Sequence, residues 1–236
     1  HHTISTAGLI GGGSFPRPGE ISLSHNGVLF IDELPEFDRK TLEVLRQPLE
    51  TGTVTISRAL NSVTYPANFM LVCAMNPCPC GYYTDKRKEC HCTPHQIQNY
   101  MSKVSGPLLD RIDIQIEVPA VRYSELVADK EVQSSEDIRE KVMVAHAMQK
   151  ERFKDHSIKV NAQMSSKQVK KYCVLDKPAE ALLYQAMTEL GLSARGHSKV
   201  LKVARTIADL DESKFIKIEH ISEAIQYRSL DRSLWK

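Results

Sequence analysis

The 236 residues carry 31 Lys and Arg, 29 Asp and Glu and 42% hydrophobic residues, with a formal net charge of +2. Those proportions belong to a folded globular chain and exclude collagen-like, disordered and coiled-coil architectures. The longest apolar run, residues 69–75, is too short to cross a bilayer, and no signal-peptide pattern is read at the start.

The first 26 residues read as irregular, with GGGSFPRPGE a Gly/Pro-rich loop. Residues 27–31 (GVLFI) form a short apolar run that predicts a strand buried on both faces, ending at Asp32-Glu33. Residues 38–49 repeat Leu42, Leu45 and Leu49 at helical spacing, with Asp38 as the expected N-cap and Gly52 as the stop. Polar–apolar alternation on either side of residues 58–61 predicts a β-hairpin with Arg58 at its bend. Residues 69–75 predict a second buried strand leading to Asn76. A short helix near 96–103 and a third strand over 111–118, closer to the sheet edge, complete an α/β part. From about residue 124 the pattern is helical, with helices expected over 135–153, 178–190, 194–210 and 220–228. Residues 1–120 carry 12 acidic and 10 basic side chains and the remainder 17 and 21, a tilt too mild to declare a nucleic-acid face.

A buried strand that delivers two carboxylates to its C-terminal end places them where open α/β sheets bind ligands. One could hold Mg²⁺ and the other could polarise an attacking water. Alternatively, Asp32 and Glu33 only shape the following turn. Asn76 could position a water with its neutral amide, or could simply initiate an Asn-Pro turn. Cys78, Cys80, Cys90 and Cys92 form two C-x-C pairs, tighter than the usual C-x₂₋₄-C spacing, whose four thiolates could close a tetrahedral Zn²⁺ site. His91 or His95 could replace one thiolate, and free thiols or a disulfide are the alternatives. Cys73 and Cys173 sit in apolar contexts and are expected in the core.

The order of these features, and the runs LIGGG, PGEISL, GVLFIDELPEF, AMNPCPCGY, SGPLLDRIDI, LSAR, VARTIADL and EAIQYR, resemble the ComM/YifB family of magnesium-chelatase-like AAA+ ATPases almost end to end. The initial HHTIS is itself such a match, so His1-His2 is read as native. The resemblance implies an α/β fold: a truncated AAA+ P-loop NTPase core over 1–120, followed by an all-helical lid over 121–236. It implies ATP and Mg²⁺ as cofactors, with Asp32 for Mg²⁺, Glu33 as catalytic carboxylate and Asn76 as the first sensor. Arg111 becomes an arginine finger serving a neighbouring subunit, and Arg195 the second sensor. The resemblance also implies work on DNA in a bacterial cytoplasm, with branch migration during natural transformation the associated activity, and a hexameric ring, because an arginine finger must act across a subunit interface. Phe15 and Arg17 in the glycine loop, and Arg58 on the hairpin, then become the expected DNA contacts.

No G-x-x-x-x-G-K-[ST] phosphate loop occurs in the 236 residues. The family places that loop ahead of the region matched here, so this stretch alone is expected to bind and hydrolyse ATP poorly. Two rival readings are a non-enzymatic zinc-bearing nucleic-acid module and a true magnesium-chelatase subunit. The NPCPCG cluster favours the ComM/YifB branch over the latter.

Overall fold

The structure, a computed structural model, describes residues 3–57, 62–85, 87–119 and 133–228. Contacts divide it into two units, the first ending at Ile112 and the second beginning at Asp113.

The first unit mixes short helices and strands. It runs α1 (Thr6–Ile10), β1 (Gly11–Gly12), β2 (Arg17–Pro18), α2 (Glu20–Leu23), β3 (Val28–Ile31), a 3-10 turn (Leu34–Glu36), α3 (Arg39–Glu43) and α4 (Arg46–Thr51). There follow β4 (Thr53–Ser57), β5 (Ser62–Pro66), β6 (Met70–Cys73), α5 (Pro94–Met101) and α6 (Gly106–Leu109). β3 and β6 pair in parallel from Val28↔Met70 to Ile31↔Cys73. β1–β2 and β4–β5 are antiparallel hairpins.

Three expectations are corrected. β3 is buried on one face only: Leu29 and Ile31 enter the core, whereas Phe30 is 61% exposed. β6 alternates likewise, and Met70 and Val72 lie on the exposed side. A continuous apolar run shows that a strand tolerates burial, not that both faces find cover. Residues 111–118 form no strand. Alternation fixes which face a strand would bury, but a strand also needs a free edge, and here Gln115 N–H donates to Tyr227 O at 2.9 Å. Finally, the helix expected over 38–49 breaks into α3 and α4. Pro48 has no N–H to offer the carbonyl of Val44, and the chain turns at Val44–Leu45. Gly52 closes α4 as expected, at φ +67. A Cβ there would come within 2.2 Å of Asn68 Oδ1, so glycine is required.

The second unit is helical: α7 (Ser135–Arg152), a 3-10 turn (Asn161–Gln163), α8 (Ser166–Tyr172), α9 (Lys177–Leu190), α10 (Ala194–Leu210) and α11 (Ile218–Gln226). Capping hydroxyls explain several starts. Ser134 accepts from Asp137 N–H before α7, and Ser193 accepts from Gly196 N–H before α10. Val200, Leu201, Ala204 and Ala208 of α10 pack with Leu183 and Ile221 in the core. Cys173 is buried there, which pushes its thiol up to about 11.

Beside that core, the fully buried carboxylate of Asp209 takes both Arg152 nitrogens and an N–H of Asn161, and pairs with Arg205 at 3.1 Å. Removing a carboxylate from between two guanidinium groups strands positive charge in low dielectric. Asp209→Ala is therefore expected to destabilise this unit by about 3–5 kcal/mol, read as a lower denaturant midpoint. A variant that melts like the native chain would show the network to be dispensable.

Candidate functional site

The parallel pairing of β3 and β6 brings their C-terminal ends side by side. Ala74 bonds twice across the gap: its N–H donates to Ile31 O at 2.9 Å, and its carbonyl accepts from Leu34 N–H at 3.0 Å. Asp32 and Glu33 lie between these two anchors, so both are looped out into solvent at the strand end. The loop holds Glu33 at φ +52 and ψ +45, a left-handed conformation that costs a non-glycine residue about 1–2 kcal/mol. Asp32 Oδ1 accepts from Glu33 N–H at 2.8 Å, and buried Leu34 and Pro35 pin the far side. Side chains held in a sparsely populated backbone region by an over-determined surround are a mark of functional positions.

Asn76 follows two residues after Ala74, exposed at the same sheet end. Its amide leans on the turn of the cysteine loop, since a Cβ added at Gly81 would lie 3.9 Å from Asn76 Cγ. The structure thus places Asp32, Glu33 and Asn76 together on one edge. Behind them is Tyr100, 6% exposed, a position that reads from sequence only as an apolar face of a short helix. Burial and the nearby Glu36 carboxylate raise its pKa, opposed by a backbone hydrogen bond from Asn76, with Cys78 and Glu33 adding to the rise.

The sulfurs of Cys78, Cys80, Cys90 and Cys92 all lie within 4.8 Å of one another. The separations Cys78–Cys80, Cys78–Cys90 and Cys80–Cys90 are 3.3, 3.7 and 3.5 Å. Four sulfurs about 2.3 Å from a tetrahedral Zn²⁺ would stand about 3.8 Å apart, so little movement is needed to close the shell. Disulfide sulfurs would be about 2.05 Å apart, and all six cysteines are free thiols. Cys80 is pulled down to about 6, first by a hydrogen bond from Tyr82 N–H, whereas Cys90 is pushed up to about 12 and Cys92 is also raised, so without a metal one thiol of the cluster ionises far more easily than these two. The cluster could hold a metal. By contrast, burial pushes the Cys73 thiol up to about 12.

Arg111 follows α6 in the first unit. Its Nη2 donates to Glu50 Oε2 and its Nη1 to the carbonyl of Pro107 at 2.7 Å, leaving the side chain 11% exposed. Arg195 belongs to the second unit, where it is exposed in the first turn of α10. That turn holds no acidic residue.

Phe15, 81% exposed, and Arg17 lie on the small β1–β2 hairpin. Gly11 does not loosen this loop. It sits at φ +109, and a Cβ would fall 2.2 Å from Arg17 O and 2.7 Å from Ile56 Cδ1, so glycine permits close packing against β4. Tyr65 Oη on β5 donates to Pro16 O at 2.8 Å, so the two loops read separately in the sequence form one surface. Arg58 lies outside the described residues.

Residues 1–126 match the family model for magnesium chelatase, subunit ChlI, and residues 132–228 match its C-terminal counterpart. The chain is 43% identical over 235 residues to YifB of Salmonella typhimurium, covering 99% of this chain and 45% of that protein. It is 46% identical over 238 residues to the competence protein ComM of Haemophilus influenzae, covering 100% and 45%. Identity to magnesium-chelatase subunit ChlI-2 of Arabidopsis thaliana is 23% over 212 residues, covering 89% and 44%. The chain spans about half the length of these relatives.

Proposed function

The chain belongs to the magnesium-chelatase ChlI family of ATPases, in company with ComM and YifB, and from that premise we propose that it is part of an AAA+ motor that uses ATP hydrolysis to remodel DNA. The observation that carries the reading is the meeting of Asp32, Glu33 and Asn76 at the ends of two parallel strands. Identity of 43–46% to YifB and ComM, against 23% to the chloroplast chelatase subunit, favours DNA over a porphyrin as substrate.

The donor set fits a magnesium-bound triphosphate: an exposed carboxylate at a strand end, a second one beside it, and an exposed neutral amide just past the end of the neighbouring strand. Mg²⁺ supplies charge neutralisation across the phosphate oxygens. Asp32 holds the metal, mostly through water. Glu33, aimed outward by its left-handed backbone, orients and polarises the attacking water. Asn76 fixes that water's second hydrogen bond. Arg111 serves as the guanidinium that stabilises developing phosphoryl charge on a neighbouring subunit, in a hexameric ring. Arg195 serves as the second sensor of the nucleotide, and the helical unit is the lid.

The phosphate-cradling loop is absent from these 236 residues, so the activity belongs to the whole protein. Phe15 and Arg17 meet DNA along the joined loop surface, aromatic on base and cation on phosphate, and Arg58 supplies a further cation for phosphate. The cysteine cluster holds a structural Zn²⁺ that braces the Asn76 turn. The setting is the bacterial cytoplasm; no described helix is long and apolar enough to cross a membrane.

The test is ATP turnover by the whole protein with and without DNA. DNA-stimulated hydrolysis that Glu33→Gln lowers at least a hundredfold is the expected result. Turnover untouched by Glu33→Gln would sink the assignment. The rival reading, a zinc-bearing nucleic-acid module without enzymatic action, rests on the cysteine cluster and predicts DNA binding by this chain with no turnover in the whole protein.

A further inference from the structure

Arg111 is not poised outward; it is tied to the helices that precede the β4–β5 hairpin. Ser105 caps α6 by accepting from Leu108 N–H, and its hydroxyl together with the Arg46 guanidinium holds the nearby Glu43 carboxyl below the usual carboxylate range. Glu50 takes the Arg111 guanidinium on the other side. Glu50 is the penultimate residue of α4, and the hairpin begins at Thr53.

That junction is stiff. Thr51 Oγ1 donates to Gln47 O at 3.0 Å and lies 3.2 Å from Thr53 Oγ1. Gly52 N–H donates to Pro48 O at 2.8 Å, and Gly52 O accepts from Ala67 N–H, at the far root of the hairpin, at 2.7 Å. Displacing the hairpin therefore displaces Glu50. An open cleft of about 400 Å³, lined by Ile10, Gln47, Thr55, Glu50 and Arg111, lies alongside and leaves the guanidinium room to swing. Glu50 is itself 47% exposed, so breaking the pair strands no buried carboxylate.

We propose that Glu50 is a positioning residue for Arg111: it retains the guanidinium within its own subunit and ties its release to the hairpin, so that nucleic acid on the hairpin governs when the arginine reaches a neighbour's phosphate. This rests on the ATPase reading above. A guanidinium held by a carboxylate of its own chain must leave that partner before it can serve another.

Glu50→Gln keeps the shape and removes the charge, and Glu50→Asp keeps the charge. Two readouts decide. In this chain, ¹⁵N NMR of the Arg111 guanidinium should show Nε–H exchange at least threefold faster in Glu50→Gln, with Glu50→Asp intermediate. In the whole protein, Glu50→Gln should raise basal kcat three- to tenfold at unchanged KM and bring the DNA-stimulated to basal ratio near one, with Glu50→Asp restoring the ratio. Native guanidinium exchange in Glu50→Gln, or an unchanged DNA ratio, overturns the proposal. Arg111→Ala in the same assay separates the two failures: if it leaves turnover intact, the finger assignment itself falls. Unchanged melting of both Glu50 variants establishes that they fold.

Discussion

Replacing Cys90 and Cys92 together by Ser is expected to strip the chain of one Zn²⁺ and to lower the melting temperature of its first unit by about 8–16 °C, the shift that a loss of only about 2 kcal/mol gives in a unit near this size. Structural zinc contributes about 10–16 kcal/mol to peptides that cannot fold without it. Less is expected here, because the loop has independent anchors. Cys78 is buried, and the Thr93–Gln96 capping box starts α5 immediately after Cys92. The sulfur separations of 3.3–3.7 Å leave the shell almost closed, so binding needs little rearrangement. Metal content by mass spectrometry under native conditions, and cobalt substitution giving the absorption of tetrahedral thiolate, read the site directly. Protons compete with the metal for thiolates, and with Cys90 pushed up to about 12 and Cys80 pulled down to about 6 affinity should fall as pH is lowered through the neutral range and more steeply below about 6. A metal-free native chain that melts like the double variant would remove zinc from the account.

How much of this was legible in the sequence depends on the range of the interaction. The β4–β5 hairpin and α10 were legible because alternation and apolar spacing, with capping residues, are local signals. The position of Asp32 and Glu33 at a strand end was legible because the apolar run stops just before them. The left-handed backbone of Glu33 was not, since its loop is held by two bonds to Ala74, just past the end of β6. The same holds for Glu50 against Arg111, separated by 61 residues, and for Arg152 against Asp209, separated by 57. Charge pairs of that separation leave no periodic trace. The outer face of the sheet is a different case, since the chain spans about half the length of its relatives. Apolar runs show what can be buried, and the uncovered face at Val28, Phe30 and Met70 depends on what lies opposite.

Arg111→Ala in the whole protein is expected to lower ATP turnover by about 10³–10⁵, the range over which an arginine finger accelerates related NTPases, with little change in nucleotide affinity. The loss alone does not show that the guanidinium acts on a neighbour, because a cis role would give the same number. Mixing separates them. In a ring built from Arg111→Ala and Glu33→Gln subunits, some sites pair the intact carboxylates of an Arg111→Ala subunit with the intact arginine of a Glu33→Gln neighbour. Those sites are complete only if Arg111 crosses the interface. Equal mixtures should therefore regain about a quarter of native turnover, the fraction expected for random neighbours with one productive arrangement in four, if sites act independently. Inactive mixtures with confirmed subunit exchange would place Arg111 in cis. Its pairing with Glu50 Oε2 and Pro107 O would then be the working geometry itself and not a restraint on it. The position of the guanidinium, 11% exposed against its own α4, makes this the sharpest division between the two roles.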